Sequence, residues 1–142
     1  MNVETFPFTL VIKQTVNSND RLHYHTKANL TADLRRRGAA IWAQARARGV
    51  EPMERAEVTA WVTWPDARRR DDANLYPTVK ALIDGMTSGP NHRRAGEWVG
   101  ILPDDDAKHL PALTFRRAGI DRKLNKPVPQ VRIELVFQEV AA

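Results

Sequence analysis

Three stretches of the chain alternate apolar and polar residues with a period of two, and between them the apolar spacing changes to that of a helix, which restricts the fold to a sheet packed against helices. Phe6, Phe8, Leu10 and Ile12 alternate with Pro7, Thr9 and Val11, and Val58, Ala60, Val62 and Trp64 alternate with Thr59, Trp61 and Thr63. Val131, Ile133, Leu135 and Phe137 repeat the pattern near the end. Each run predicts a strand with one buried face. Leu113 and Phe115 predict a further strand, separated from the last by the basic polar stretch Arg116 to Lys126. Leu34, Gly38, Ile41 and Ala45 recur at helical spacing, with Thr31 as N-cap and Asp33 in the first turn, until Gly49 and Pro52 end the pattern. That spacing predicts a helix over 32–48. Leu75, Val79, Leu82, Ile83 and Met86 form the stripe of a second helix, with Pro77 acceptable in its first turn.

The predicted order is β-α-β-α-β-β, a single α/β (α+β) domain over 1–142 with a small mixed sheet and helices packed on it. Residues 87–100 contain Gly, Pro, Asn, His and Arg with no sustained period, and are expected to form an exposed loop. A chain of 142 residues with 42% hydrophobic content suffices for one buried core. The complete lack of cysteine excludes disulfides, thiolate metal sites and cysteine nucleophiles, so any metal is held through oxygen or imidazole. No apolar run approaches the roughly 18 residues of a membrane span, and Met1 to Phe8 lacks the pattern of a secretory leader. A cytoplasmic protein with no membrane partner is the expectation.

The formal charge is +5 and the pI about 10.0, which favours an anionic partner. Its distribution is uneven: residues 1–50 hold 8 basic and 3 acidic groups, 71–106 hold 3 and 7, and 107–142 hold 7 and 3. An acidic centre between basic flanks suits a protein that grips a polyanion and presents carboxylates at one place, as metal-dependent phosphodiester chemistry requires. Ordinary solvated surface is the competing reading.

The acidic centre has two parts. Arg68-Arg69-Arg70-Asp71-Asp72-Ala73-Asn74-Leu75 runs from the second strand into the second helix, an address at which α/β folds commonly hold active-site carboxylates. Leu102-Pro103-Asp104-Asp105-Asp106-Ala107-Lys108 carries consecutive carboxylates that repel one another unless solvated or neutralised. If they approach Asp71, a hard divalent cation, Mg²⁺ or Mn²⁺, is the natural compensation. Asp71 or Asp72 equally suits a helix cap. Lys80 and Asp84 suit either a simple i,i+4 ion pair or an ammonium and a carboxylate beside the metal.

Asn19-Asp20-Arg21 leading to His23, His25 and Lys27, then Arg-Arg-Arg-Asp-x-x-Asn-Leu (68 to 75), Lys-Ala-x-x-Asp (80 to 84) and Leu-x-Asp-Asp-Asp-Ala (102 to 107) follow one another in order. This ordered set resembles the RusA family of Holliday junction resolvases and is similar to its phage-borne members, over nearly the whole chain. The resemblance implies a homodimeric, Mg²⁺-dependent endodeoxyribonuclease that resolves four-way DNA junctions by paired symmetric nicks. It gives Asp71, Asp106 and Lys80 catalytic roles, with Asp105 beside Asp106. The metal ligands would come from Asp71, Asp72, Asp84, Asp105 and Asp106. One departure is Ala73, which stands where the family has its second aspartate; Asp72 or Asp84 is the candidate replacement. The spacing from Asn74 to Lys80 is also longer than the family's, which implies an extra turn at Tyr76-Pro77-Thr78.

The mechanism that fits is hydrolysis by a metal-activated water, with Lys80 steadying the charge on the phosphate. Arg21, His23, His25, Lys27, Arg35, Arg68, Arg69, Arg70 and Asn74 are the candidate DNA contacts. The first four are expected in the loop before the first helix. Trp42, Trp61 and Trp64 are expected in the core, and Trp98 is left open. Two other functions suit the residues: a protein that binds branched DNA without cutting it, and a nuclease that pairs Pro65-Asp66 with Asp106-Ala107-Lys108.

Overall fold

The computed structural model describes residues 2–90 and 98–141. Four strands, β1 (Val3–Val11), β2 (Ala56–Trp64), β3 (Leu113–Ile120) and β4 (Gln130–Glu139), form one sheet in the order β1-β4-β2-β3. β4 pairs antiparallel with both β1 and β2, whereas β3 lies parallel to β2, so the sheet is mixed. The helices α1 (Tyr24–Ala47) and α2 (Tyr76–Ser88) complete the expected β-α-β-α-β-β order.

The period-two pattern sorts the two faces of the sheet as predicted. Phe6, Phe8 and Leu10 of β1 stand opposite Leu135, Ile133 and Val131 of β4, and Val58, Ala60 and Val62 of β2 stand opposite Phe137, Leu135 and Ile133. All are buried, on the face that α1 covers: the Phe6 ring meets Trp42 edge-on at 6.2 Å and Phe137 at 5.6 Å. α1 and α2 cross closely where Gly38 and Gly85 lie. A Cβ on Gly38 would fall 2.0 Å from the Leu82 carbonyl oxygen, and one on Gly85 1.9 Å from that of Arg35. Among the described residues, no helix is long and apolar enough to cross a membrane.

Several boundaries differ from the expectation. α1 begins at Tyr24 rather than 32, because His23 supplies the cap, its side chain accepting from the His25 N–H at 3.2 Å. Thr31 is no cap: inside the helix its hydroxyl bonds back to the Lys27 carbonyl at 2.8 Å. His25 and Lys27 therefore sit on α1 and not in the preceding loop. β3 continues through Arg116 and Arg117 to Ile120, since ladder pairing with β2, and not an apolar alternation of its own, extends it. β1 starts at Val3, and Ile12 falls in a 3-10 turn after it. Trp42 and Trp64 are in the core, but Trp61 points to the open face of the sheet and is 37% exposed. Its expected burial is corrected by its own strand, in which Ala60 and Val62 face inward. Of the predicted loop 87–100, Thr87 and Ser88 close α2, and 91–97 lie outside the described residues.

Candidate functional site

β1, β2 and β3 run in one direction, so their carboxyl ends share one edge of the sheet. At that edge lies an open cleft of about 750 Å³, built from the residues that follow β1 and β2. Asp71 and Asn74 line it together with Asp20, Lys13, Arg69 and Arg70. Pro65 ends β2, and the chain then folds upon itself through ion pairs. Asp66 accepts from Arg70 Nη1 at 2.6 Å and from the Arg68 N–H at 3.0 Å, and Arg70 chiefly holds its carboxyl below the usual range. The Arg70 guanidinium also lies over the Trp64 ring, 4.6 Å from its centroid.

Asp71 caps a 3-10 turn, Asp72–Leu75, by accepting from the Ala73 N–H at 3.0 Å. It combines the capping use with a place in the cleft wall. Asp72 turns the other way. Its carboxylate accepts from Trp64 Nε1 at 2.6 Å and from Arg117 Nε at 2.9 and 3.1 Å. Arg117 Nη2 in addition donates to the Arg70 carbonyl at 3.1 Å, so β3 clamps the segment that carries Asp71. Asp72 is thus neutralised and occupied by protein groups.

A second cluster joins α2 to the loop ahead of β3. Lys80 Nζ donates to Asp105 Oδ2 and stands 3.5 Å from Asp84 Oδ1, while Arg35 Nη2 of α1 lies 3.7 Å from Asp84 Oδ2. Burial, reinforced by a hydrogen bond with Asp105, pushes the Asp84 carboxyl up to about 6 against the pull of Lys80. That hydrogen bond from Asp84, followed by the one from Lys80, holds Asp105 well below the usual carboxylate range. Burial alone would lower the Lys80 pKa, but its bond to Asp105 and the charges of Asp84 and Asp105 outweigh it and raise it.

Asp106 does not join this cluster. Half exposed, it lies 2.7 Å from His109 Nδ1 and accepts the His109 N–H at 3.1 Å, and His109 keeps its carboxyl below the usual range. The His109 carbonyl accepts from Ala56 N–H at the start of β2, whereas Asp72 is bound to Trp64 at its end. Asp72 and Asp106 are thus anchored at opposite ends of a strand roughly 26 Å long. Among the described residues no three His, Asp or Glu side chains converge as a ready-made metal site. The five predicted carboxylates are divided: Asp84 with Asp105 at Lys80, Asp71 in the cleft, Asp72 on Arg117, and Asp106 on His109.

Of the expected DNA contacts, Arg21, His23, His25, Lys27, Arg68 and Arg69 are exposed, and Asn74 lines the cleft. Arg35 is corrected: at 6% exposure it faces Asp84 inside the helix pair, and its Nε is buried without a partner among the described residues. Arg70 is committed to Asp66 and Trp64. Arg117 was not legible as a site residue, because the stretch that carries it lacks alternation. The Trp64 N–H was missed as well; the only available signal was its position at a strand end. No protein-family model matches this chain, and no curated protein matches it significantly.

Proposed function

We propose that this protein is a Mg²⁺-dependent, structure-selective endodeoxyribonuclease that acts on four-way DNA junctions, in the manner of the RusA family that its motifs resemble. The observation that carries the reading is the Lys80–Asp84–Asp105 cluster, in which two motifs 25 residues apart meet in a partly buried site. Two carboxyls lie together against Lys80, with Arg35 3.7 Å from one of them, and their donor atoms are all oxygen, the type that a hard divalent cation takes. Mg²⁺ needs only one or two protein carboxylates when waters and a substrate phosphate complete its shell. Asp84 and Asp105 would hold it, while Asp71 lines the cleft together with Arg69 and Arg70. Of the tandem aspartates, Asp105 takes the place that the resemblance gives to Asp106.

A Mg²⁺ or Mn²⁺ held there would supply an activated water and offset charge on the attacked phosphate. The Lys80 ammonium, beside both carboxyls, would steady that phosphate. The exposed Arg21, Lys27, Arg68 and Arg69 suit the flanking phosphates. A homodimer follows from the substrate, because a four-way junction has two equivalent strands and a two-fold axis puts one site on each. The expected compartment remains the cytoplasm.

Cleavage of a labelled four-way junction beside a linear duplex, with Mg²⁺ and with EDTA, tests the proposal. Symmetric Mg²⁺-dependent nicks are expected on the junction alone. Asp105→Asn and Lys80→Ala should lower the rate by about a hundredfold or more with junction binding retained. Asp71→Asn should likewise bind without cutting, while Asp106→Asn should still cut. One observation favours a second reading, a protein that binds branched DNA without cleaving it: Ala73 removes one carboxylate, and Asp72, tied to Arg117 and Trp64, does not replace it. Tight junction binding with no cutting under Mg²⁺ or Mn²⁺ establishes that reading instead.

A further inference from the structure

We propose that Tyr24, with His25 and His23 behind it, is a platform on which an unpaired nucleobase stacks. The inference rests on the DNA-binding reading above and extends it to the unstacked bases of a branch point. Tyr24 is 77% exposed, the highest value among the described large hydrophobic residues. An aromatic ring held in water at that level lacks the burial that usually retains it.

Its neighbours make it more than a stray surface residue. The Tyr24 ring meets His25 edge-on at 5.4 Å, and His25 stacks on His23 at 5.3 Å with planes 28° apart. His23 is itself fixed by its capping bond to the His25 N–H. That bond uses Nδ1 of His23, which argues against reading the two histidines as half of a metal site. Three rings thus form an exposed array, with the exposed cations Arg21 and Lys27 flanking them in the sequence. Aromatic faces with flanking cations are the means by which proteins hold unpaired bases and their phosphates.

The array also follows closely on a residue of the cleft. Leu22, two residues before Tyr24 and hence within about 7 Å along the chain, lines the same cleft as Asp71. The loop leading to it is pinned to α2 by two buried hydrogen bonds between Val16 and the Thr78 hydroxyl, at 2.8 and 2.7 Å. A third bond, 2.8 Å long, joins Ser18 N–H to the Asn74 carbonyl. A base on Tyr24 would therefore lie near a cleft whose walls carry Lys13 and Arg69, cations suited to its phosphates.

The test uses the full chain in EDTA with three DNAs: a four-way junction carrying 5-iododeoxyuridine at the branch point, a linear duplex, and single-stranded oligothymidylate. Irradiation is expected to crosslink the junction to the peptide containing Tyr24. Tyr24→Ala should weaken junction and oligothymidylate binding about tenfold, leave duplex binding unchanged, and abolish the crosslink, whereas Tyr24→Phe should behave as the parent. Should the parent protein show no junction preference, the functional reading falls, and a tenfold loss on oligothymidylate still supports the platform. Equal binding of oligothymidylate and junction by Tyr24→Ala and the parent, with no crosslink at position 24, overturns the platform. A crosslink elsewhere with the same unchanged affinities does so too.

Discussion

Asp84 and Asp105 occupy one cluster yet titrate in opposite directions, and this has a consequence for stability. In the unfolded chain Asp84 titrates near 3.8, whereas in the folded protein burial, aided by Asp105, raises it to about 6. Between those values the folded state holds the extra proton, so stability falls as pH rises through this window. Asp105 is depressed; its contribution is present above its unfolded value of 3.8 and is lost as the pH falls below it. For the metal-free protein, Asp84→Asn is expected to remove the decline between about pH 4 and pH 6, an effect of order 1 kcal/mol. Denaturant midpoints measured across that range in EDTA check it, and an identical decline in parent and variant would contradict it. Arg117 makes a second prediction at this scale. Arg117→Ala leaves Asp72, only 16% exposed, with the Trp64 N–H alone. A loss of about 1–2 kcal/mol is expected in equilibrium unfolding.

At the scale of elements, the decisive contact is the crossing of α1 and α2. Gly38 and Gly85 let the backbones touch, and the same closeness brings Arg35 of α1 to Asp84 of α2. Gly85→Ala must push the helices apart, since its Cβ would lie 1.9 Å from the Arg35 carbonyl oxygen. A cost of about 3 kcal/mol is expected in thermal or chemical unfolding. A neutral result would mean that the crossing is looser than these contacts imply. The strands and α2 could be read from periodicity, because each buries one regular face. The start of α1 could not: its first turns are exposed on every side, so no stripe announces them, and a histidine, an uncommon cap, begins the helix. β3 was half read for a related reason, as an edge strand with exposed Arg116 and Arg117 keeps its ladder but loses its alternation.

For the whole molecule, the net charge of +5 and the exposed Arg21, Lys27, Arg68 and Arg69 predict DNA binding that depends steeply on salt. With these four cations each neutralising a phosphate, affinity should fall about a hundredfold between 50 and 200 mM salt. Arg68→Ala should lower the slope of log affinity against log salt by about one, and an unchanged slope would remove Arg68 from the contact surface.

Period, breakers and charge are local properties of the chain, and through them the sequence by itself determined the order of elements, the buried face of the sheet and the presence of an acidic centre between basic flanks. It also marked Asp71 in the cleft and Asp84 and Asp105 at Lys80, but neither their grouping nor Asp20, which lines the cleft as well. Only the tertiary structure decided that Asp105 and not Asp106 meets Lys80, that Asp72 is taken by Arg117, and that Arg35 is buried. The reason is physical: neighbours in an Asp-Asp-Asp run differ little in composition or propensity, and the direction each side chain takes is set by the path of a loop between α2 and β3 and by partners up to 49 residues away, as Arg35 and Asp84 are.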